Sequence, residues 1–133
     1  MSDGARVSYF YAVLRLVPRV ERGERFNVGV ALLCRPRRFL AVRTRLDEAK
    51  FAVMAPGCEA DAVRAQLAAL EAVAAGDPAA GPMAALEQAE RFHWITSPSS
   101  TIIQPGAVHA GLTADPAATL ERLFEELVAP VRG

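Results

Sequence analysis

The chain has 133 residues, of which 52% are apolar and 23% are charged, as is usual for one globular domain with its own core. A disordered chain is excluded, because such chains are more polar and more highly charged. The formal net charge is zero, but residues 1–50 carry +6 and the remaining residues −6. This asymmetry is typical of a face that binds anions or nucleic acid, or of interleaved halves whose charges only solvate the surface. We favour the second interpretation.

Cysteine usage and hydropathy indicate the compartment. Neither Cys34 nor Cys58 belongs to a C-x-x-C pair or a His-rich cluster, so we expect neither a disulfide nor a bound metal. The chain has no signal-peptide pattern and no apolar run of membrane-spanning length. It also has no phosphate-binding or dinucleotide-binding motif, so no cofactor is expected. We therefore expect a single domain over residues 1–133, in the cytoplasm and away from membranes.

The first half of the chain predicts three strands. Residues 7–17 are apolar on both period-2 faces, as in a central strand that is covered on both sides. Two further strands are predicted at residues 25–34 and 39–46, each reached through a short connection. Since parallel strands need crossovers of about a dozen residues or more, these connections favour an antiparallel meander.

The second predicted strand has two unequal faces. Simple alternation gives it one face of large apolar side chains, at positions 26, 28, 30, 32 and 34, and another that begins with Asn27, Gly29 and Ala31. Glycine inside a strand marks a bulge or the close approach of another group. We expect a bulge or a packed helix at Gly29, with a bound ligand as the alternative.

Two arginines on the third predicted strand are the candidate contacts of the basic half. Arg43 and Arg45 are two positions apart, so alternation places their side chains on the same face of the sheet. Guanidinium groups bind phosphate or carboxylate in a bidentate manner. If this face is exposed, the pair suits nucleic acid or a phosphorylated ligand. Otherwise the two arginines are counter-ions for the acidic helices of the second half.

The second half has four candidate helical segments, of which about three are expected to pack on the sheet, and a second hairpin. Helical segments are indicated at residues 47–54, 59–75 and 82–91, the first and last of them short, and after Asp115 in a segment with an apolar stripe of Leu120, Leu123, Phe124 and Leu127. Residues 92–96 and 101–104 are predicted as strands joined by a loop at residues 97–100. The predicted fold class is α+β, with an antiparallel sheet and helices packed on it.

Two histidines are the candidate general bases of the chain. The predicted hairpin places His93 opposite about Gln104 rather than opposite His109, so a pair of cooperating imidazoles has no support. For His93, and for His109 in a segment predicted as irregular, we favour structural roles. The chain has no G-x-S-x-G elbow, so the loop hydroxyls are interpreted as turn formers. No catalytic residue is assigned.

Three segments of the chain resemble one bacterial protein family. They are YFYAVLR at residues 9–15, ERFNVGV at residues 24–30, and FHW at residues 92–94 followed by SPSS at residues 97–100. In these segments the chain resembles the family catalogued as domain of unknown function 3037, and the likeness extends over most of its length. The resemblance draws attention to six residues without naming a catalytic one among them: Asn27, Gly29, His93, Ser99, Ser100 and His109.

The resemblance also implies a functional context. Members of the family are often encoded beside a Ser/Thr kinase of the toxin type, which suggests an accessory or partner protein. We therefore expect a non-enzymatic protein-interaction module whose partner is another protein. The alternative is a protein that binds or processes nucleic acid or a phosphorylated ligand through its basic half, with Asn27, Arg43, Arg45 and His109 as contacts. Binding of nucleic acid would weaken steeply with salt.

Overall fold

A computed structural model describes residues 5–98 and 102–130 of the protein. The described residues form five strands and four α-helices. In chain order these are β1 (Val7–Leu16), β2 (Phe26–Cys34), β3 (Phe39–Thr44), α1 (Glu48–Met54), α2 (Ala60–Ala75), α3 (Gln88–Ile95), β4 (Ile103–Pro105), β5 (His109–Thr113) and α4 (Pro116–Leu127). Asp47 and Asp115 cap α1 and α4, because their carboxylates accept hydrogen bonds from backbone N–H groups of the first turn.

The five strands belong to one antiparallel sheet. Its order is β3-β2-β1-β4, and β5 pairs with β1 on the same side as β4. The predicted α+β fold and the meander of the first three strands are confirmed, with four α-helices in the described residues where about three were expected. Strand β1 lies inside the sheet, as its two apolar faces predicted.

Strands β4 and β5 together form one edge of the sheet. β4 pairs with the end of β1, and β5 pairs with its beginning. The register shifts by one residue between the two, where the Gly106 N–H donates to the Val13 carbonyl at 2.8 Å. β4 and β5 are therefore one edge strand interrupted by a bulge.

The predicted hairpin around residues 97–100 is wrong in its first strand. Residues 92–95 belong to α3, and Thr96 is the C-cap of that helix. Aromatic and β-branched side chains favour a strand locally, but Phe92 and Ile95 are three positions apart and both buried in the same core cluster. A helix brings such positions to one face, whereas a strand turns them to opposite faces.

The second strand of that hairpin is displaced rather than missing. The segment predicted at residues 101–104 corresponds to β4, and Thr101 lies outside the described residues. Because β4 pairs with β1, the partner of Gln104 in the sheet is Arg15. The predicted placement of His93 opposite Gln104 is therefore wrong.

Strand β2 contains a bulge at Gly29. In the ladder with β1, Leu14 faces Gly29 and Arg15 faces Asn27, so Val28 is the extra residue. Before the bulge, even-numbered residues of β2 face one core cluster; after it, they face the other. Of the two expectations for Gly29, a bulge or a packed helix, the structure shows the bulge, whereas the simple alternation predicted for this strand is wrong.

Helices cover both faces of the sheet. One face carries α1, α2 and α3 over a core cluster that includes Leu14, Leu16, Phe51, Leu67 and Phe92. The other face carries α4 over a second cluster that includes Tyr9, Val30, Leu32, Leu120, Leu123 and Phe124. The helices contact mainly β2 and β3. Binding surfaces are therefore to be sought on the side of the sheet formed by β1, β4 and β5.

The two cysteines are free thiols in different environments. Cys34 is buried, with its Sγ 3.5 Å from the Ser8 carbonyl oxygen, and Cys58 is half-buried. Within residues 5–98 and 102–130, no helix is both long enough and apolar enough to cross a membrane.

Candidate functional site

The structure separates the predicted site residues. Asn27 and His109 lie together and line one polar pocket. Arg43 belongs to β3, Arg45 follows the end of that strand, and His93 lies on α3. Ser99 and Ser100 lie outside the described residues. A binding role for any of these residues stays a prediction.

The polar pocket lies beside the carboxyl end of α4. This end is held to β2 by Asn27, whose Nδ2 donates to the Leu127 carbonyl at 2.9 Å. Next to this contact is a pocket of about 360 Å³, lined by Val13, Arg15, Arg25, Asn27, Gly106, Ala107 and His109. Its walls come from β1, β2 and the bulge between β4 and β5. The register of the sheet therefore fixes where the lining residues stand.

Arg15 is half-buried in this pocket, and its guanidinium lies against Gly106. A Cβ at position 106 would collide with the guanidinium, so any larger residue there must displace the arginine. Arg15 is not among the predicted contacts. The available signal was that Arg15 is the single charged residue within the apolar β1 segment.

Arg25 supplies a second cation to the pocket. It is exposed and immediately precedes β2. The neighbouring carboxylate of Glu24 is held by Arg22, with Nε 2.7 Å from Oε1, and this hydrogen bond and charge lower the pKa of Glu24. Among the described residues, neither Arg15 nor Arg25 forms an ion pair with a carboxylate. The pocket is therefore electropositive.

His109 borders the pocket from β5. It faces Tyr11 across the β1–β5 ladder, and the two ring centroids are 5.2 Å apart. The prediction of an irregular segment is wrong, because His109 is the first residue of β5. Ala and Gly are poor strand formers and weaken the strand signal of this segment. Gly111 is nevertheless required, since the Tyr9 ring leaves no room for a Cβ at that position.

Arg43 is engaged by α4, unlike Arg45. The Nε of Arg43 lies 3.0 Å from Oε1 of Glu121, and its Cζ lies 4.7 Å from the centroid of the Phe124 ring. Glu121 is one of the acidic residues of the second half, so these contacts agree with the counter-ion interpretation of Arg43. Arg45 is exposed and forms no ion pair within the described residues.

Alanine at each of the two positions separates the structural contribution of the arginines. Arg43→Ala is expected to lower the free energy of unfolding by about 1 kcal/mol, through loss of an exposed ion pair and a cation–π contact. Arg45→Ala is expected to leave it within about 0.5 kcal/mol of the native value. Urea denaturation of both variants measures these differences. Equal losses would contradict the assignment of Arg43 as the counter-ion.

An apolar groove lies on the opposite face of the sheet. Its volume is about 510 Å³, and it is lined by Leu14, Gln66, Ala69, Leu70, Trp94, Ile95, Ser97, Pro98, Ile103 and Pro105. Trp94 stands at its rim with 44% of its surface exposed. His93 precedes Trp94 and is exposed, and its carbonyl accepts a hydrogen bond from Ser97 Oγ at 2.6 Å. His93 therefore lies beside the groove without lining it.

The two sites differ in what they can bind. The groove offers apolar surface, whereas the pocket presents two guanidinium groups, an amide and an imidazole, which suit an anion. In the part of the chain that the structure describes, no three His, Cys, Asp or Glu side chains are grouped so that they could hold a metal ion.

The fold and the two sites define an α+β protein whose antiparallel sheet carries an apolar groove on one face and an electropositive pocket on the other. A family model described as "Protein of unknown function (DUF3037)" matches residues 11–128. The chain therefore belongs to this family, as the resemblance of its segments predicted. Comparison with the curated proteins and with the solved structures gives no match.

Proposed function

We propose that the protein is a non-enzymatic, cytoplasmic protein-interaction module that acts as an accessory to another protein. The observation that carries this proposal is the apolar groove with the exposed side chain of Trp94 at its rim. Tryptophan is enriched among the residues that dominate protein interfaces, because it buries a large apolar area together with a polar N–H group. A partner segment in the groove would cover this side chain.

Further apolar surface lies on the same face of the sheet as the groove. Phe10 lies four residues before the groove residue Leu14 on the same face of β1, and it is 37% exposed. Leu112 faces Ser8 across the β1–β5 ladder and is 62% exposed. Exposed apolar side chains gathered on one face mark surfaces that bind other proteins. This surface supports an interaction role for the face as a whole.

We propose a Ser/Thr kinase of the toxin type as the partner protein. This part of the proposal rests on the family resemblance, since related proteins are often encoded beside such a kinase. The side chains that line the groove indicate which kind of docking segment can bind there. Its described lining has Gln66 and Ser97 as polar side chains and no charged one, so the docking segment is expected to be apolar.

Nucleic-acid binding through Arg43 and Arg45 has less support as a function. The guanidinium of Arg43 already contacts Glu121 and Phe124. To bind phosphate it would have to leave these contacts, and their loss would reduce the free energy of binding. Arg45 by itself offers one exposed guanidinium. We therefore place the interaction module first.

Alanine in place of Trp94 is expected to weaken the complex about tenfold or more, since the anchoring side chain at the groove is lost. The test is co-expression with the neighbouring kinase, followed by size-exclusion chromatography and titration of the purified proteins. Val53→Ala is the matched control, because Val53 is 79% exposed on α1 and does not line the groove. This control is expected to bind as the native chain does.

Two results would count against the proposal. The first is failure of the native chain to co-elute with the kinase, which removes the proposed partner. The second is a Trp94→Ala variant that keeps the native circular dichroism spectrum and the native affinity. That result places the interaction away from the groove.

A further inference from the structure

Two arginines converge on the polar pocket, and within the described residues neither has an acidic partner. Arg15 faces Asn27 across the β1–β2 ladder, and Arg25 lies two residues before Asn27 along the chain. Diagonal neighbours on two paired strands are about 7–8 Å apart, which is within reach of long side chains. Both arginines line the pocket, and the described residues place no carboxylate on either guanidinium. Like charges at such neighbouring positions repel each other, and a bound anion offsets this repulsion.

The position of Arg15 depends on the bulge in the edge strand. The bulge holds Gly106 beside β1, through the hydrogen bond from its N–H to the Val13 carbonyl at 2.8 Å. The missing side chain of Gly106 leaves the space that the Arg15 guanidinium occupies. Arg15 is thereby kept within the pocket, although a long arginine side chain on the surface has many other rotamers. Gly106 is therefore a positioning residue for Arg15.

The chemistry of the lining suits a phosphate group. Each guanidinium fork can donate two parallel hydrogen bonds to phosphate oxygens, and two forks suit a group with several anionic oxygens. The imidazole of His109 and the amide of Asn27 line the same pocket as further polar groups. The volume of about 360 Å³ is at the lower end of the range for small organic ligands, so it leaves room for more than a free phosphate ion.

From these contacts we infer that the pocket formed by Arg15, Arg25, Asn27 and His109 binds the phosphate group of a small phosphate monoester. The site is separate from the apolar groove. Arg15 and the groove residue Leu14 are adjacent in β1, so their side chains point to opposite faces of the sheet. The test of phosphate binding is therefore independent of the test of the proposed partner protein.

Isothermal titration calorimetry of the full chain tests the inference, with ribose 5-phosphate, ribose and inorganic phosphate as probes. Ribose 5-phosphate is expected to bind with a sub-millimolar dissociation constant, inorganic phosphate more weakly, and ribose not measurably. Arg15→Ala and Arg25→Ala are each expected to weaken ribose 5-phosphate binding by about 10- to 100-fold, the effect of losing one charge-assisted contact. Arg25→Lys keeps the charge without the fork and is expected to fall between Arg25→Ala and the native chain.

Two further variants separate a built site from general positive charge. Gly106→Ala changes no charge but displaces the Arg15 guanidinium, so it is expected to weaken binding as Arg15→Ala does. Arg35→Ala removes the same charge after the far end of β2, where Arg35 is exposed and outside the pocket, and is expected to leave binding unchanged. Circular dichroism and thermal melting of each variant confirm that it is folded.

Three outcomes would overturn the inference. One is native protein that binds neither ribose 5-phosphate nor inorganic phosphate at low salt. Another is an Arg35→Ala variant that loses as much affinity as Arg15→Ala, which indicates diffuse electrostatic attraction. The third is tight, salt-sensitive binding of a single-stranded oligonucleotide without binding of the monoester, which assigns the basic surface to nucleic acid.

Discussion

Valine in place of Gly29 is expected to lower the free energy of unfolding by roughly 1–3 kcal/mol, because the side chain overpacks the interior of the sheet. A Cβ at Gly29 would lie 3.0 Å from the Arg43 carbonyl oxygen, 3.0 Å from Thr44 Cγ2 and 3.3 Å from Leu14 Cδ1. These separations are shorter than the optimal contact between heavy atoms. The Arg43 carbonyl belongs to the paired backbone of β3 and cannot move without disturbing the ladder. Urea denaturation measures the loss.

Thr44→Ser provides a matched background for this test. Serine removes the Cγ2 methyl group but keeps a hydroxyl at the position that donates to Glu71 Oε2 at 3.0 Å. If overpacking is the cause, Gly29→Val is less destabilising in the Thr44→Ser background than in the native chain, because one of the close contacts is gone. A Gly29→Val variant with an unchanged urea midpoint would show instead that the face beside Gly29 is open.

The bulge at Gly29 shows how much of the structure of a strand can be predicted from its local sequence pattern. The glycine within an apolar strand was enough to predict a bulge or a packed helix at this position. The consequence of the bulge was not predicted, because an extra residue shifts the alternation for the rest of the strand. Val28 and Val30 therefore contribute to different core clusters, although their spacing of two places them on one face of a regular strand.

The segment from Phe92 to Thr113 was the hardest to predict. Its first residues have side chains that favour strands, but burial of Phe92 and Ile95 against the sheet outweighs that preference. Strand β5 was missed for the opposite reason, since Ala110 and Gly111 favour strands weakly. β5 forms because it pairs with β1 about a hundred residues earlier in the chain, which no local window records.

The polar pocket was predicted only in part. Asn27 and His109 were candidate contacts, and the structure brings them together. Arg15 and Arg25 were not singled out, because eleven basic residues in the first 50 positions make any one of them inconspicuous. What distinguishes these two is the ladder register and the position of the Glu24 carboxylate on Arg22, and both depend on the folded chain.

Alanine in place of Phe124 is expected to lower the free energy of unfolding by about 3–5 kcal/mol, the usual loss for a large aromatic side chain in a core. Phe124 is 5% exposed and belongs to the cluster that joins α4 to the sheet. The same change removes the ring that Arg43 covers. Phe124 belongs to the cluster through which α4 packs on its face of the sheet. In the Phe124→Ala variant, the backbone amides of α4 are therefore expected to lose hydrogen-exchange protection before those of the sheet.

Phe124→Leu is the control that separates apolar burial from the aromatic ring. Leucine keeps most of the buried volume, so its loss of stability is expected to be clearly smaller than that of Phe124→Ala. It cannot replace the cation–π contact, so Arg43→Ala is expected to cost about 0.5–1 kcal/mol less in the Phe124→Leu background than in the native chain. A loss below about 1 kcal/mol for Phe124→Ala would contradict the packing of α4 on the sheet, since a core position of this size does not tolerate such a cavity.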